Sequence, residues 1–210
     1  MVIREHLFIG NGPIKLEAEW FDSNISSLPA ALIIHPHPQF GGTMHNNVVS
    51  AIFEKCIEEN VSCLRFNFRG VGKSMGTYSN GRGELSDVKA CIDFLIHEKK
   101  KARIVIIGYS YGAAIGCSGV NYSESIIGYV AISFPWDFMG KKYKKLSNSG
   151  KPKLFIQGTN DTIALLDRFH AHFADYSDPK EYHIIQGADH FYWGQEREIS
   201  RLVIVFLKKL

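Results

Sequence analysis

The sequence has no C-x-x-C pair, no long apolar stretch near its start and no strong excess of either charge. Each absence removes a class of protein. Cys56, Cys63, Cys91 and Cys117 lack metal-ligand spacing, and three of them sit within apolar or helical runs. They read as reduced packing residues of a cytoplasmic protein. Twenty-four Lys and Arg against 21 Asp and Glu leave a formal charge of +3. That is too small to argue for nucleic acid or an anionic membrane as a partner. The one dense basic run, KKYKK at Lys141 to Lys145, reads as a solvated loop. Arg4 and Glu5 interrupt the first residues, so neither a signal peptide nor a membrane anchor is expected there. His35, His37 and His45 lie close together, but no HExxH, HxHxDH or cysteine pair completes a ligand set, and no metal is expected. Internal repeats, low-complexity tracts and linkers are missing too. The expectation is one domain over residues 1–210.

What the chain does have is alternation. VIREHLFI and IKLEAEWF flank GNGP as an N-terminal hairpin. Apolar runs follow at AALIIH, SCLRFN, ARIVIIG, IIGYVAIS, KLFIQG and EYHIIQG, each suited to a buried strand. Between them stand helical patterns. NNVVSAIFEKCIEEN places Val49, Ile52, Phe53, Cys56 and Ile57 on one face, and ELSDVKACIDFLIHEKK does the same with Leu85, Val88, Ile92 and Leu95. A small-residue helix opens at Tyr111, TIALLDRFHAHFADY reads as helical, and EISRLVIVFLKK closes the chain. FPWDFMGKKYKKLSNSGKP reads as a long loop. Strand and helix in alternation mean an α/β protein, a mostly parallel sheet with helices on both faces.

In such a sheet, ligands bind beyond the carboxyl ends of the strands. The residues that follow each strand therefore carry the argument. GYSYG, Gly108 to Gly112, fits G-x-S-x-G between an apolar strand and a helix. That spacing lifts a serine hydroxyl out of the sheet on a strained turn, with glycines where strand and helix pass closely. Ser110 is the candidate nucleophile. It needs a base to take its proton and a carboxylate to orient the base. His190 follows EYHIIQG and Asp161 follows KLFIQG, in the chain order such triads use. Asp137, after IIGYVAIS, competes for the acid's role, and Asp189 is expected to point away. His170 and His172 lie within a helix and His183 within a strand, positions that fit packing or surface roles.

A tetrahedral intermediate also needs donors for its oxygen. The Tyr111 N–H, at a helix start, is one. The second is expected from HPHPQFGG, where Pro36 and Pro38 have no N–H and His37, Gln39 or Phe40 remain, His37 being preferred. NFRGVGKS invites a nucleotide reading and fails it. A phosphate loop would need glycine at 67, where Asn67 stands, and a helix directly afterwards, where MGTYSNGRG follows as a loop. No cofactor is expected.

With these motifs in order, the chain resembles the α/β-hydrolase family. More narrowly it resembles the small bacterial members carrying an HPHP..GG loop, relatives of dienelactone hydrolases and X-Pro dipeptidyl-peptidase-like esterases. AALIIHPHPQFGGTMHNNVV, RFNFRGVGKSMG, GYSYGAA, GTND and GADHFYWG carry the likeness. It implies an eight-stranded sheet, a nucleophile at Ser110, an acid at Asp161, a base at His190, and oxyanion donors at Tyr111 and in the HPHP loop. In that family Arg69 to Ser74 would be the R-G-x-G-x-S turn after a strand. Dienelactone hydrolases use a cysteine nucleophile where this chain has serine. No room for a large cap remains, so an open site is expected, with Phe40, Tyr111, Trp136, Phe138, Phe191 and Tyr192 as candidate walls. The expected function is hydrolysis of a small-molecule acyl ester or thioester. An amidase or aminopeptidase of the same fold, or a binding protein that retains it, are the alternatives.

Overall fold

The computed structural model describes residues 4–23 and 27–210. Val2 and Ile3, where the expected first strand begins, lie outside the described residues. β1 (Arg4–Asn11) and β2 (Ile14–Phe21) form the hairpin. Gly12, at φ 59°, takes the left-handed first position of its two-residue turn, and the Pro13 ring fixes the second.

β3 (Ala30–Ile34), β4 (Cys63–Phe66), β5 (Ile104–Tyr109), β6 (Ile126–Ile132), β7 (Lys153–Gly158) and β8 (Lys180–Ile185) run parallel. The sheet order is β1-β2-β4-β3-β5-β6-β7-β8, with β2 antiparallel to β4. Every residue of β3, β4, β5 and β7 is buried, which explains their mostly apolar runs; the exceptions, Arg65, Lys153 and Gln157, are hydrogen-bonded.

Helices cover both faces because successive strand residues point opposite ways. Val105 and Ile107 of β5 pack with α1 (Asn47–Glu58) and α7 (Glu196–Lys209). Ile104 and Ile106 pack with α2 (Arg82–His97) and α3 (Tyr111–Cys117). Each such Ile or Val contributes roughly 1.5–3 kcal/mol on burial, so these central strands dominate the core.

Three expectations are corrected. The stretch after β6 is not a loop but α4 (Trp136–Met139) and α5 (Lys141–Ser147). KKYKK is therefore helical. Tyr143 and Ser147, one turn apart, face inward, while Lys141, Lys142 and Lys145 stay exposed. α6 (Leu166–Ala174) starts four residues later than Thr162, because Oδ1 of Asp161 accepts the N–H groups of Ile163 (2.9 Å) and Ala164 (2.8 Å) and holds them in a turn. α2 begins inside the stretch read as a loop, where the Glu84 carboxylate caps it by accepting from Gly81 N–H at 2.7 Å and Ser79 N–H at 2.8 Å. The insertion after β6 holds two short helices and no large cap.

Candidate active site

β5 ends against the start of α3, and Ser110 makes the corner with φ 55° and ψ −119°. A methyl group at Gly112 would overlap the carbonyl oxygens of Ile34 and His35, and one at Gly108 would overlap the Gly112 carbonyl. Only glycine lets strand and helix pass this closely. The Ser110 N–H donates to Ile132 O at 2.8 Å, so the corner is fastened to the end of β6.

The sheet then gathers the partners. Ser110 Oγ lies 2.9 Å from His190 Nε2, and His190 Nδ1 lies 2.8 Å from Asp161 Oδ2. An ionised carboxylate only accepts, so Nδ1 carries the proton and Nε2 is left to accept from the serine. All three side chains are nearly enclosed, with Ser110 7% exposed, His190 5% and Asp161 4%. Burial works against the Asp161 charge. The hydrogen bond and charge of His190 outweigh it, with Ser133 Oγ and Ala164 N–H adding, and the carboxyl lies below its ordinary range.

The loop after β8 is braced on several sides. Asp189 does not reach the imidazole. Its Oδ1 accepts the N–H groups of Phe191 and Tyr192, at 2.9 and 3.0 Å. The Tyr109 hydroxyl donates to the His190 carbonyl at 2.5 Å. Asp137, the competing acid, is exposed and stands 3.4 Å from His172 Nε2 instead. His172 stacks on Trp136 with ring centroids 5.0 Å apart, and His183 lies 3.4 Å from Glu198.

In the loop after β3 the three candidate donors differ. Gln39 N–H donates to His37 Nδ1 at 3.2 Å, and Phe40 N–H to the His37 carbonyl at 3.1 Å. The His37 N–H makes no such bond among the described residues. The His37 ring packs on Tyr111, centroids 4.6 Å apart, and burial lowers its proton affinity. His35 is structural. Its Nε2 accepts Phe68 N–H at 3.0 Å, tying this loop to the chain after β4.

The expected aromatic walls divide. Tyr111, Trp136 and Tyr192 are buried and belong to the core rather than to a surface. Phe40 (86% exposed), Phe138 on α4 (75%) and Phe191 (54%) stand at the carboxyl edge, and so does Trp193 (73%), which the sequence reading missed. Ser133 was missed as well. Its hydroxyl lies 2.6 Å from Asp161 Oδ2, and its only sequence signal is its place directly after β6. Among the described residues no cluster of three or more His, Cys, Asp or Glu is placed to hold a metal ion, and no helix is long and apolar enough to cross a membrane.

Comparison with known proteins fits this geometry. Residues 29–200 match the family described as an alpha/beta hydrolase domain. The chain is 33% identical over 205 residues to an uncharacterized protein of Rickettsia prowazekii, spanning 94% of this chain and 86% of that one. It is also similar to the solved structure of an alpha-beta serine hydrolase homologue from Coxiella burnetii, with a TM-score of 0.86 at 31% identity over 98% of this chain and 97% of that one. A serine hydrolase without a lid from Xanthomonas campestris shares the fold, with a TM-score of 0.82 at 23% identity over 98% and 94%. Six parallel strands behind an N-terminal hairpin, a strand-to-helix serine corner and a matched family span agree, and the chain belongs to the alpha/beta hydrolase family.

Proposed function

We propose that the protein is a serine hydrolase that cleaves small acyl esters or thioesters through an acyl-enzyme. The observation that carries this reading is the unbroken contact from Ser110 Oγ through His190 to Asp161. Ser110 attacks the acyl carbon while Nε2 of His190 takes its proton. Asp161 keeps the imidazole in the Nδ1–H tautomer and stabilises the imidazolium that forms. The negative oxygen of the intermediate is met by the Tyr111 N–H at the start of α3 and by the His37 N–H, the one candidate in its loop with no internal acceptor. His190 then protonates the leaving group, and water releases the acyl group by the same steps. The exposed Phe40, Phe138 and Phe191 favour a compact apolar acyl or alcohol part over a long peptide.

A fluorophosphonate probe tests the nucleophile, and a short-chain p-nitrophenyl ester tests the chemistry. Wild type is expected to be labelled and to turn the ester over. Ser110→Ala and His190→Ala are each expected to lose roughly 10³-fold or more in turnover. Equal labelling of wild type and Ser110→Ala would sink the reading. Turnover of the matching anilide at a rate comparable with the ester would move the assignment to an amidase.

A further inference from the structure

Among the described residues, six that are not glycine have positive φ. Asn60, Asn80 and Lys100 are exposed, where a left-handed residue closes a connection. The other three are buried: Ser110 at 55°, Ser133 at 46° and Tyr192 at 56°. These three are joined by one line of side-chain contacts. Tyr192 OH lies 2.6 Å from Ser133 Oγ, Ser133 Oγ 2.6 Å from Asp161 Oδ2, and the line continues through His190 to Ser110 Oγ. Buried left-handed backbone persists only where the surroundings enforce it, and it gathers where geometry is used.

The direction of each bond follows from counting protons. Asp161 accepts only, so Ser133 gives its one hydroxyl proton to Oδ2. Tyr192 must then donate to Ser133. Asp161 Oδ1 is meanwhile fixed by the Ile163 and Ala164 N–H groups. Both oxygens are held, and the carboxylate cannot rotate away from His190. The end of β6 is itself pinned between the two sides of the site. The Ile132 carbonyl accepts the Ser110 N–H at 2.8 Å, and the Ser133 N–H donates to Ile156 O of β7 at 2.9 Å.

We propose that Ser133 and Tyr192 are positioning residues, a hydroxyl relay that holds the Asp161 carboxylate ionised and aligned on His190. This rests on the serine-hydrolase reading above. The left-handed backbone at 133 and 192 is then the strain that places the two hydroxyls. Other titratable groups face the Asp161–His190 pair, namely Tyr109 from β5 and Asp189 from the loop after β8. Neither of them is hydrogen-bonded to Asp161. The bonds Asp161 accepts come from His190, Ser133 and its own turn.

The test is the second-order rate of fluorophosphonate labelling from pH 5 to 9 in wild type, Ser133→Gly, Tyr192→Phe and the double variant. Glycine adopts φ 46° freely, which offsets part of the loss of two buried hydrogen bonds, so Ser133→Gly is expected to fold with Tm lowered by no more than a few degrees. Labelling is expected to slow about tenfold or more, the scale of one lost hydrogen bond to a charged group. Its acid limb is expected to move to higher pH, because a carboxylate with one donor fewer takes up a proton more readily and pulls harder on the imidazole proton. Tyr192→Phe is expected to move the limb the same way by less, and the double variant to be no slower than Ser133→Gly, since Tyr192 acts through Ser133. Wild-type rates and an unmoved limb in Ser133→Gly, with Ser110→Ala unlabelled, overturn the relay and leave the hydrolase standing. A lowered Tm with an unmoved limb marks Ser133 as packing alone and overturns it equally. No labelling of wild type removes both readings.

Discussion

At position 35 an imidazole is fully enclosed, with Phe68 N–H donating to Nε2 and Nδ1 2.7 Å from the Pro36 carbonyl. Burial drives its pKa down to about 4, with the Pro36 contact opposing and the neighbouring His37 charge adding. In the unfolded chain the same group titrates at its ordinary 6.5. Between pH 6.5 and 4 the unfolded state therefore binds a proton that the native state refuses, and stability falls as pH falls. The full difference is roughly 3 kcal/mol. Urea denaturation of wild type at pH 7 and pH 4.5 is expected to show this loss over and above that of His35→Gln. Parallel slopes in the two proteins would rule the cause out. Residue identity was most legible at strand ends. Ser110, Asp161 and His190 each follow an apolar run, so strand order alone placed them together. Ser133 also follows a strand, but a serine in AISFP carries no mark of the hydroxyl contacts that set it apart. The choice among His37, Gln39 and Phe40 stayed open because all three own an N–H, and only the loop's internal bonds distinguish them.

Arg69 to Ser74, the turn that imitates a phosphate loop, is an element held from both flanks. Asp87 of α2 accepts the Arg69 N–H at 3.0 Å and pairs with its guanidinium at 2.7 Å. Glu17 of β2 accepts the Lys73 N–H and the Asn67 side-chain amide, each at 2.8 Å. Ser74 Oγ closes the turn on the Asn67 carbonyl at 2.7 Å. The Lys73 ammonium makes no hydrogen bond in this bracing, and its charge only favours the Glu17 carboxylate. Asp87 is fully buried, so Asp87→Ala leaves a partly buried arginine and an N–H without acceptors, a loss of roughly 3 kcal/mol or more. In a chain of this size that lowers Tm by about 6–12 °C. Lys73→Ala is expected to leave Tm and ester turnover within error. Paired thermal melts separate the two, and equal losses would show that the Lys73 side chain also holds the turn. The glycines of this turn were readable as a turn signal. The helices after β6 were not, because Gly140 and four lysines around a single tyrosine look solvated until Tyr143 is seen against the core.

Across the whole molecule, the large aromatic residues that follow the strands divide into two kinds. Some of these rings fold back into the core, and others stay largely in water. Trp136 belongs to the first kind. It stacks on Phe134 with centroids 4.9 Å apart, lies against His172, and its Nε1–H donates to the Tyr176 hydroxyl at 3.1 Å. Phe40 belongs to the second, in contact with the His37 ring at 4.7 Å between centroids and otherwise largely open. Composition and periodicity treat the two alike, which is why the sequence reading grouped them as walls. The fold assigns them different work. Trp136→Ala is expected to remove roughly 3–5 kcal/mol of stability, the range for truncating a buried large aromatic. Phe40→Ala removes no core contact, so Tm should stay within experimental error. Its effect belongs to binding: KM for a short aryl ester rises about threefold or more while kcat holds, as when a contact equal in ground and transition states is lost. A melt and a Michaelis curve on each variant decide the matter. A fall in Tm for Phe40→Ala, or an unchanged Tm for Trp136→Ala, would show that the edge and the core are not divided in this way.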